Sequence, residues 1–135
     1  MSLLDVVIPG QPVGKGRPKF VRATGRAYTP KGTAEWERGA ALLIRQAWNA
    51  PPLDSLSSVT IIALFARPKR LLRKKDPTER IPCDVKPDID NVVKCVLDAL
   101  VMGGALRDDK TVWCVKAEKL FTSKEEGPAV LIRVE

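Results

Sequence analysis

One stretch, Val59-Thr60-Ile61-Ile62-Ala63-Leu64-Phe65-Ala66, constrains the fold more than any other. It is a nearly continuous apolar run rich in β-branched side chains. A run without polar alternation reads as a strand buried on both faces, and therefore central in a sheet. A central strand needs neighbours, and the chain offers three. Leu3 to Ile8 is short, apolar and β-branched. Thr111 to Phe121 would place Trp113, Val115, Ala117 and Phe121 on one face. Ala129 to Val134 follows the turn residues Gly127-Pro128.

Two helical patterns complete the set. Thr33 is placed to cap a helix running to about Asn49, with Glu35 in its first turn. Trp36, Ala40, Leu43 and Ala47 form an apolar stripe there, and Trp36 and Trp48 read as core packing. Pro51-Pro52 stops it. Asn91 to about Val101 is the second helix, burying Val92, Val93, Val96, Leu97 and Leu100 and stopping at Gly103-Gly104. The expected fold is α/β (α+β): a single mixed β-sheet covered by two main helices. With 135 residues and an apolar fraction of 44%, one domain spanning 1–135 is expected. No internal repeat is visible.

The charge balance points outward. Against 23 Lys+Arg stand 16 Asp+Glu, a net charge of +7, which suggests a polyanionic partner, most simply nucleic acid. No apolar run is long enough to span a bilayer, and Met1-Ser2-Leu3-Leu4-Asp5 lacks the basic start of a signal peptide. Cys83, Cys95 and Cys114 are dispersed and odd in number, which suits a reducing compartment. Histidine is absent. That removes imidazole acid–base catalysis, Ser-His triads and His-ligated zinc.

Two segments hold much of the basic charge. Val13-Gly14-Lys15-Gly16-Arg17-Pro18-Lys19-Phe20 is a Gly- and Pro-rich loop able to approach a ligand closely. Phe20–Arg22 and Arg26–Tyr28 can pair as a hairpin beyond it. Lys15, Arg17, Lys19, Arg22 and Arg26 are candidate phosphate contacts, or simply a solvated loop. Residues 67–87 carry Arg67, Lys69, Arg70, Arg73, Lys74, Lys75, Arg80 and Lys86, interrupted by four prolines. This segment reads as a mobile basic loop without an element of its own, suited to DNA contact.

That loop leads into Lys86-Pro87-Asp88-Ile89-Asp90-Asn91-Val92-Val93-Lys94. Pro87 biases Lys86 away from helical angles, so Asp88 and Asp90 are expected in an extended segment, pointing the same way. Like charges held together need a counter-charge, and a divalent cation is the strongest local one. Asp and Asn oxygens are the hard ligands preferred by Mg2+ and Mn2+. Asp108-Asp109 forms a second acidic pair just past the helix. Lys94 follows Asp90 and precedes Asp98 at i+4 steps. Each feature has a plainer reading: Asp90 as a helix cap, Asp108-Asp109 as a turn, the lysine as part of a surface ladder. Their conjunction points to a carboxylate metal site.

Pro87-Asp88-Ile89-Asp90-Asn91-Val92-Val93-Lys94, then Val96-Leu97-Asp98-Ala99-Leu100, then Asp108-Asp109, resemble the RusA-type Holliday junction resolvases of bacteria and their phages. Pro9-Gly10-Gln11-Pro12 and Lys15-Gly16-Arg17-Pro18 are similar to that family as well. The resemblance spans most of the chain and is sharp from 86 to 112. It implies a cytoplasmic homodimer that cuts branched DNA at four-way junctions with Mg2+ or Mn2+. Carried over by position, it implies Asp88, Asp90 and Asp109 as essential metal-binding acids and Lys94 as the essential lysine. Asp98 takes a structural role. The long proline-rich basic segment departs from the family pattern. Two other readings compete: an Asp-x-Asp nucleotide-sugar transferase, and a basic DNA-binding module without activity.

Overall fold

The computed structural model describes residues 2–15, 19–21, 26–28 and 31–135, with side chains for 2–15 and 32–135. Its elements are β1 (Leu4–Pro9), β2 (Lys19–Val21), β3 (Arg26–Tyr28), α1 (Lys31–Ala47), β4 (Ser57–Phe65), β5 (Ile81–Pro82), α2 (Ile89–Met102), β6 (Val112–Phe121) and β7 (Ala129–Val134). Five strands make one mixed sheet in the order β1-β7-β4-β6-β5. β4 is central, parallel to β6 and antiparallel to β7. β2 and β3 pair separately as the expected antiparallel ribbon. The mixed sheet with two main helices is the expected α+β architecture.

The core lies on one face of the sheet. Val59, Ile61, Ala63 and Phe65 of β4 join Val130, Ile132 and Val134 of β7. Ala40 and Ile44 of α1 and Val92, Val96, Ala99 and Leu100 of α2 pack against them. Each large side chain so buried contributes about 1.5–3 kcal/mol before entropy is charged. The opposite face is only partly covered. Ser58, Thr60 and Ile62 are half-buried and Val7 is 56% exposed. The expectation that β4 is buried on both sides is therefore corrected: both helices pack on one side, and only Leu64 of the outward residues in β4's second half is sealed.

α1 starts two residues before the expected cap. Thr33 lies inside it, and its hydroxyl donates to the Gly14 carbonyl at 3.0 Å. The buried stripe is Thr33, Glu37, Ala40, Ala41 and Ile44, while Ala47 is exposed. The helix is thus rotated from the stripe read off the sequence, which missed Ile44 and Glu37. Trp36 and Trp48 pack against the core as expected. At the end of α2, Gly104 takes φ +81° and stops the helix. A Cβ on Gly103 would lie 2.8 Å from Ile44, so α1 and α2 touch there at backbone distance.

Residues 67–87 contain more structure than expected. A 3-10 turn covers Lys69–Leu71, and β5 pairs with the end of β6. Arg67 organises the segment from within. It is buried, and its guanidinium donates to the carbonyls of Thr122 (3.0 Å), Leu71 (3.1 Å), Pro77 (2.5 Å) and Glu79 (2.6 Å). The fork of guanidinium donors satisfies four loop carbonyls that would otherwise need water. Arg67 is accordingly removed from the expected DNA-contact set, because its donors are spent inside the fold. Before β6, Asp109–Thr111 form another 3-10 turn rather than the first residues of the strand. Trp113 is 69% exposed and does not share the inner face of β6.

Candidate active site

The site grows from the head of α2. Asp88 is the N-cap, with extended backbone at φ −65°, ψ 152°, yet its side chain makes no capping hydrogen bond. A carboxylate at that position normally accepts from the first turn. Here it faces outward with its charge unspent. Asp90 is already helical, in the first turn of α2, so the two acids are not the extended pair expected from Pro87. Both are exposed, and neither makes an ion pair among the described residues. The helix N-terminus stabilises both negative charges.

Lys94 sits one turn further along, 53% exposed. Its ammonium leans toward the C-terminal end of the helix, 3.2 Å from Asp98 Oδ1 and 3.5 Å from Asp109 Oδ2. The hydrogen bond and charge of Asp98, with a smaller contribution from Asp109, hold Lys94 above the usual lysine range. The two adjacent acids of the second pair divide their work. Asp108 caps the 3-10 turn, accepting from the Lys110 amide at 2.9 Å, and that bond lowers its pKa. Asp109 is left to face Lys94.

Lys15 connects this region to the N-terminal arm. Its backbone amide donates to the Asn91 carbonyl at 2.9 Å. Its ammonium lies 2.7 Å from Glu37 Oε1 and 3.2 Å from Asp98 Oδ2. Burial pulls this lysine down, but the two carboxylates outweigh it and leave it above its ordinary value. Lys15 was read from the sequence as a phosphate contact; the structure turns its charge inward onto two acids. Gly14 makes the approach possible, since a Cβ there would fall 2.5 Å from Pro87 Cβ and 3.1 Å from Asn91 Cβ. Beneath, Cys95 donates to Glu37 at 3.8 Å. Burial, then the negative charge of Glu37, pushes that thiol up to about 12, so it stays a neutral donor.

Two open clefts flank Lys15. One, of about 440 Å³, is lined by Gly14, Lys15, Lys86, Pro87, Asp88 and Asn91. The other, of about 520 Å³, includes Lys15, Glu37, Asp98, Asp108 and Asp109. The sequence leads one to expect Asp88, Asp90 and Asp109 to converge on one cation. In the structure Asp88 and Asp109 line separate clefts. Among the described residues, no group of three or more acidic, histidine or cysteine side chains is gathered closely enough to hold a metal ion. The donors are of the right kind for a hard cation, exposed carboxylate oxygens without counter-charge at Asp88 and Asp90. Their arrangement is not a coordination shell, because Asp109 is turned to Lys94.

The remaining predicted contacts divide by exposure. Lys69, Arg70, Arg73, Lys74, Lys75 and Lys86 are all exposed. Arg73 is paired with Asp76 at 3.2 Å. Arg17, and the side chains of Lys19, Arg22 and Arg26, lie outside the described residues. Sequence reading missed Glu37. Its signal was available: a carboxylate four residues after Thr33 and three before Ala40, inside a helical stripe that must be buried.

Residues 9–135 match the protein family described as Endodeoxyribonuclease RusA. The chain is similar to the Crossover junction endodeoxyribonuclease RusA of Aquifex aeolicus (strain VF5), 24% identical over 134 residues, covering 98% of this chain and 93% of that one. It is also similar to the Uncharacterized protein YqaN of Bacillus subtilis (strain 168), 29% identical over 140 residues, covering 98% of this chain and 97% of the other.

Proposed function

The chain belongs to the RusA endodeoxyribonuclease family, and from that premise we propose that it resolves four-way DNA junctions by paired nicks. The relative named as a crossover junction endodeoxyribonuclease aligns over nearly the whole of both chains, which supports carrying the activity across. The observation that carries the site is the meeting of Lys94 and Asp109 at 3.5 Å, from separate elements, on the helix whose head bears Asp88 and Asp90.

The proposed cofactor is Mg2+ or Mn2+: Asp88 and Asp90 would supply its carboxylates, and Asp109, which faces Lys94 here, would join them only by turning away from that lysine. When bound, such an ion would polarise a phosphoryl oxygen and lower the pKa of a water. The chain's own contribution is electrostatic and positional. Lys94 places a fixed positive charge beside Asp109, where it can neutralise charge growing on phosphoryl oxygens or orient the nucleophile. Asp98 holds that ammonium from the other side. No covalent intermediate is invoked. Exposed Lys69, Arg70, Lys74, Lys75 and Lys86 supply phosphate contacts. Two copies about a two-fold axis would present two such sites to a substrate of matching symmetry. A homodimer acting in the cytoplasm is part of the same proposal; no helix among the described residues is long and apolar enough to cross a membrane.

A synthetic four-way junction, incubated with the protein with and without Mg2+ or Mn2+, tests this. The expected outcome is symmetric paired nicks that require the ion, and tighter binding to the junction than to duplex. Asp88→Asn and Asp90→Asn should bind the junction and fail to cut it. A parent protein that binds junction and duplex equally and cuts neither is a basic binding module, and the proposal is then wrong.

A further inference from the structure

Glu37 is a buried carboxylate that the reading above does not use. It is 4% exposed, and a charge so placed needs strong compensation to be tolerated. Compensation comes from Lys15 at 2.7 Å. Lys15 in turn meets Asp98 Oδ2 at 3.2 Å, Asp98 Oδ1 meets Lys94 at 3.2 Å, and Lys94 meets Asp109 at 3.5 Å. The result is a chain of alternating charges, Glu37, Lys15, Asp98, Lys94, Asp109. It runs from the buried side of α1, across the N-terminal arm and α2, to the turn before β6. Exposure rises from Glu37 to Lys94: the side chains of Glu37, Lys15, Asp98 and Lys94 are 5%, 23%, 26% and 53% exposed, and Asp109 closes the chain at 42%.

The gradient has a physical consequence. An exposed i,i+4 pair such as Lys94–Asp98 is worth only about 0.3–0.5 kcal/mol, too little to hold a long side chain in one geometry. A carboxylate whose second oxygen is already committed to a half-buried, doubly paired lysine cannot rotate freely. Asp98 therefore presents one fixed oxygen to Lys94. Lys15 is fixed as well, at its backbone by Asn91 and at its ammonium by Glu37. We propose that Glu37 and Lys15 are positioning residues of the cleavage site: Glu37 anchors Lys15, Lys15 orients Asp98, and Asp98 sets the Lys94 ammonium beside Asp109. This rests on the nuclease reading of Lys94 and Asp109. It assigns Lys15 to the organisation of the site, not to the grip on DNA.

The test is single-turnover cleavage of a four-way junction at saturating protein with Mg2+, alongside junction affinity and Tm, for Glu37→Gln, Lys15→Met and the double variant. Loss of an outer-shell orienting group costs roughly 10- to 100-fold. Each single variant should lose cleavage by that factor while its junction Kd stays within about twofold of the parent. Because both act through one chain of contacts, the double variant should lose no more than the worse single. Lys15→Arg, which keeps a cation between the two carboxylates, should cut faster than Lys15→Met, and it carries the comparison if Glu37→Gln does not fold. Cleavage within twofold of the parent, multiplicative losses in the double variant, or a loss of affinity equal to the loss of rate would each overturn the proposal. A parent that cuts nothing sinks the nuclease reading, and this inference with it; normal cutting by the variants sinks this inference alone.

Discussion

At the scale of single residues, neighbours of the same chemical type have been given different work by backbone geometry. Asp108 and Asp109 are adjacent and identical, but the extended Asp108 turns its carboxylate back onto the Lys110 amide. Asp109, one residue on, meets Lys94. A capping oxygen need not be charged, since an amide oxygen accepts the same bond. Asp108→Asn should therefore cut a junction within about twofold of the parent rate. Asp109→Asn removes a charge at the proposed reacting centre and should lose roughly 100-fold or more, with junction binding retained. Equal losses in the two variants, measured under single turnover, would remove the distinction. Asp88 shows the converse. It occupies a cap position and does not cap, which leaves its charge available.

At the scale of elements, the segment between β4 and α2 is where sequence reading did least well. Its prolines and basic residues suggested a loop without elements, but local composition does not reveal a buried guanidinium. Arg67 satisfies four carbonyls from 71 to 122, contacts that exist only once β6 has ended beside it. The segment is held to the turn before β7 as well. Lys124 Nζ donates to the carbonyls of Arg73 and Asp76, at 2.6 and 2.8 Å. Arg80 pairs with Glu126 at 2.8 Å, and that guanidinium holds the Glu126 carboxyl at about 2, below its ordinary 4.5. The sign follows from linkage. A lowered folded-state pKa adds stability that is fully present above the unfolded value and is lost as pH falls through the folded one. Glu126→Gln should therefore lower Tm at pH 6 to 7, and the gap to the parent should close between about pH 4.5 and 2. A gap that stays constant over that range, followed by thermal melts, would show that the pair does not stabilise the fold.

For the whole molecule, the excess of positive charge is unevenly used. Lys15 and Arg67 are spent inside, on two carboxylates and four carbonyls. Exposed Lys69, Arg70, Lys74, Lys75 and Lys86 remain for a polyanion. Five phosphate contacts imply that log K for junction binding falls against log salt with a slope of roughly −4 to −5. A slope near zero, in titrations from low to physiological salt, would take this surface out of DNA binding.

The elements and the candidate reacting groups were legible in the sequence. Apolar runs, turn residues and helical periodicity are local, so β1, β4, β6, β7 and both helices could be read within a few residues of their ends. The absence of histidine, the net charge of +7 and the acids around α2 were equally plain. Which charges meet was settled only by folding. The rotation of α1 put Glu37 under Lys15, a glycine at 14 let the arm lie against Pro87, and the turn after α2 brought Asp109 to Lys94. These contacts join residues 15 to 73 positions apart through forces that depend on distance in space, and no local pattern in a chain records that distance.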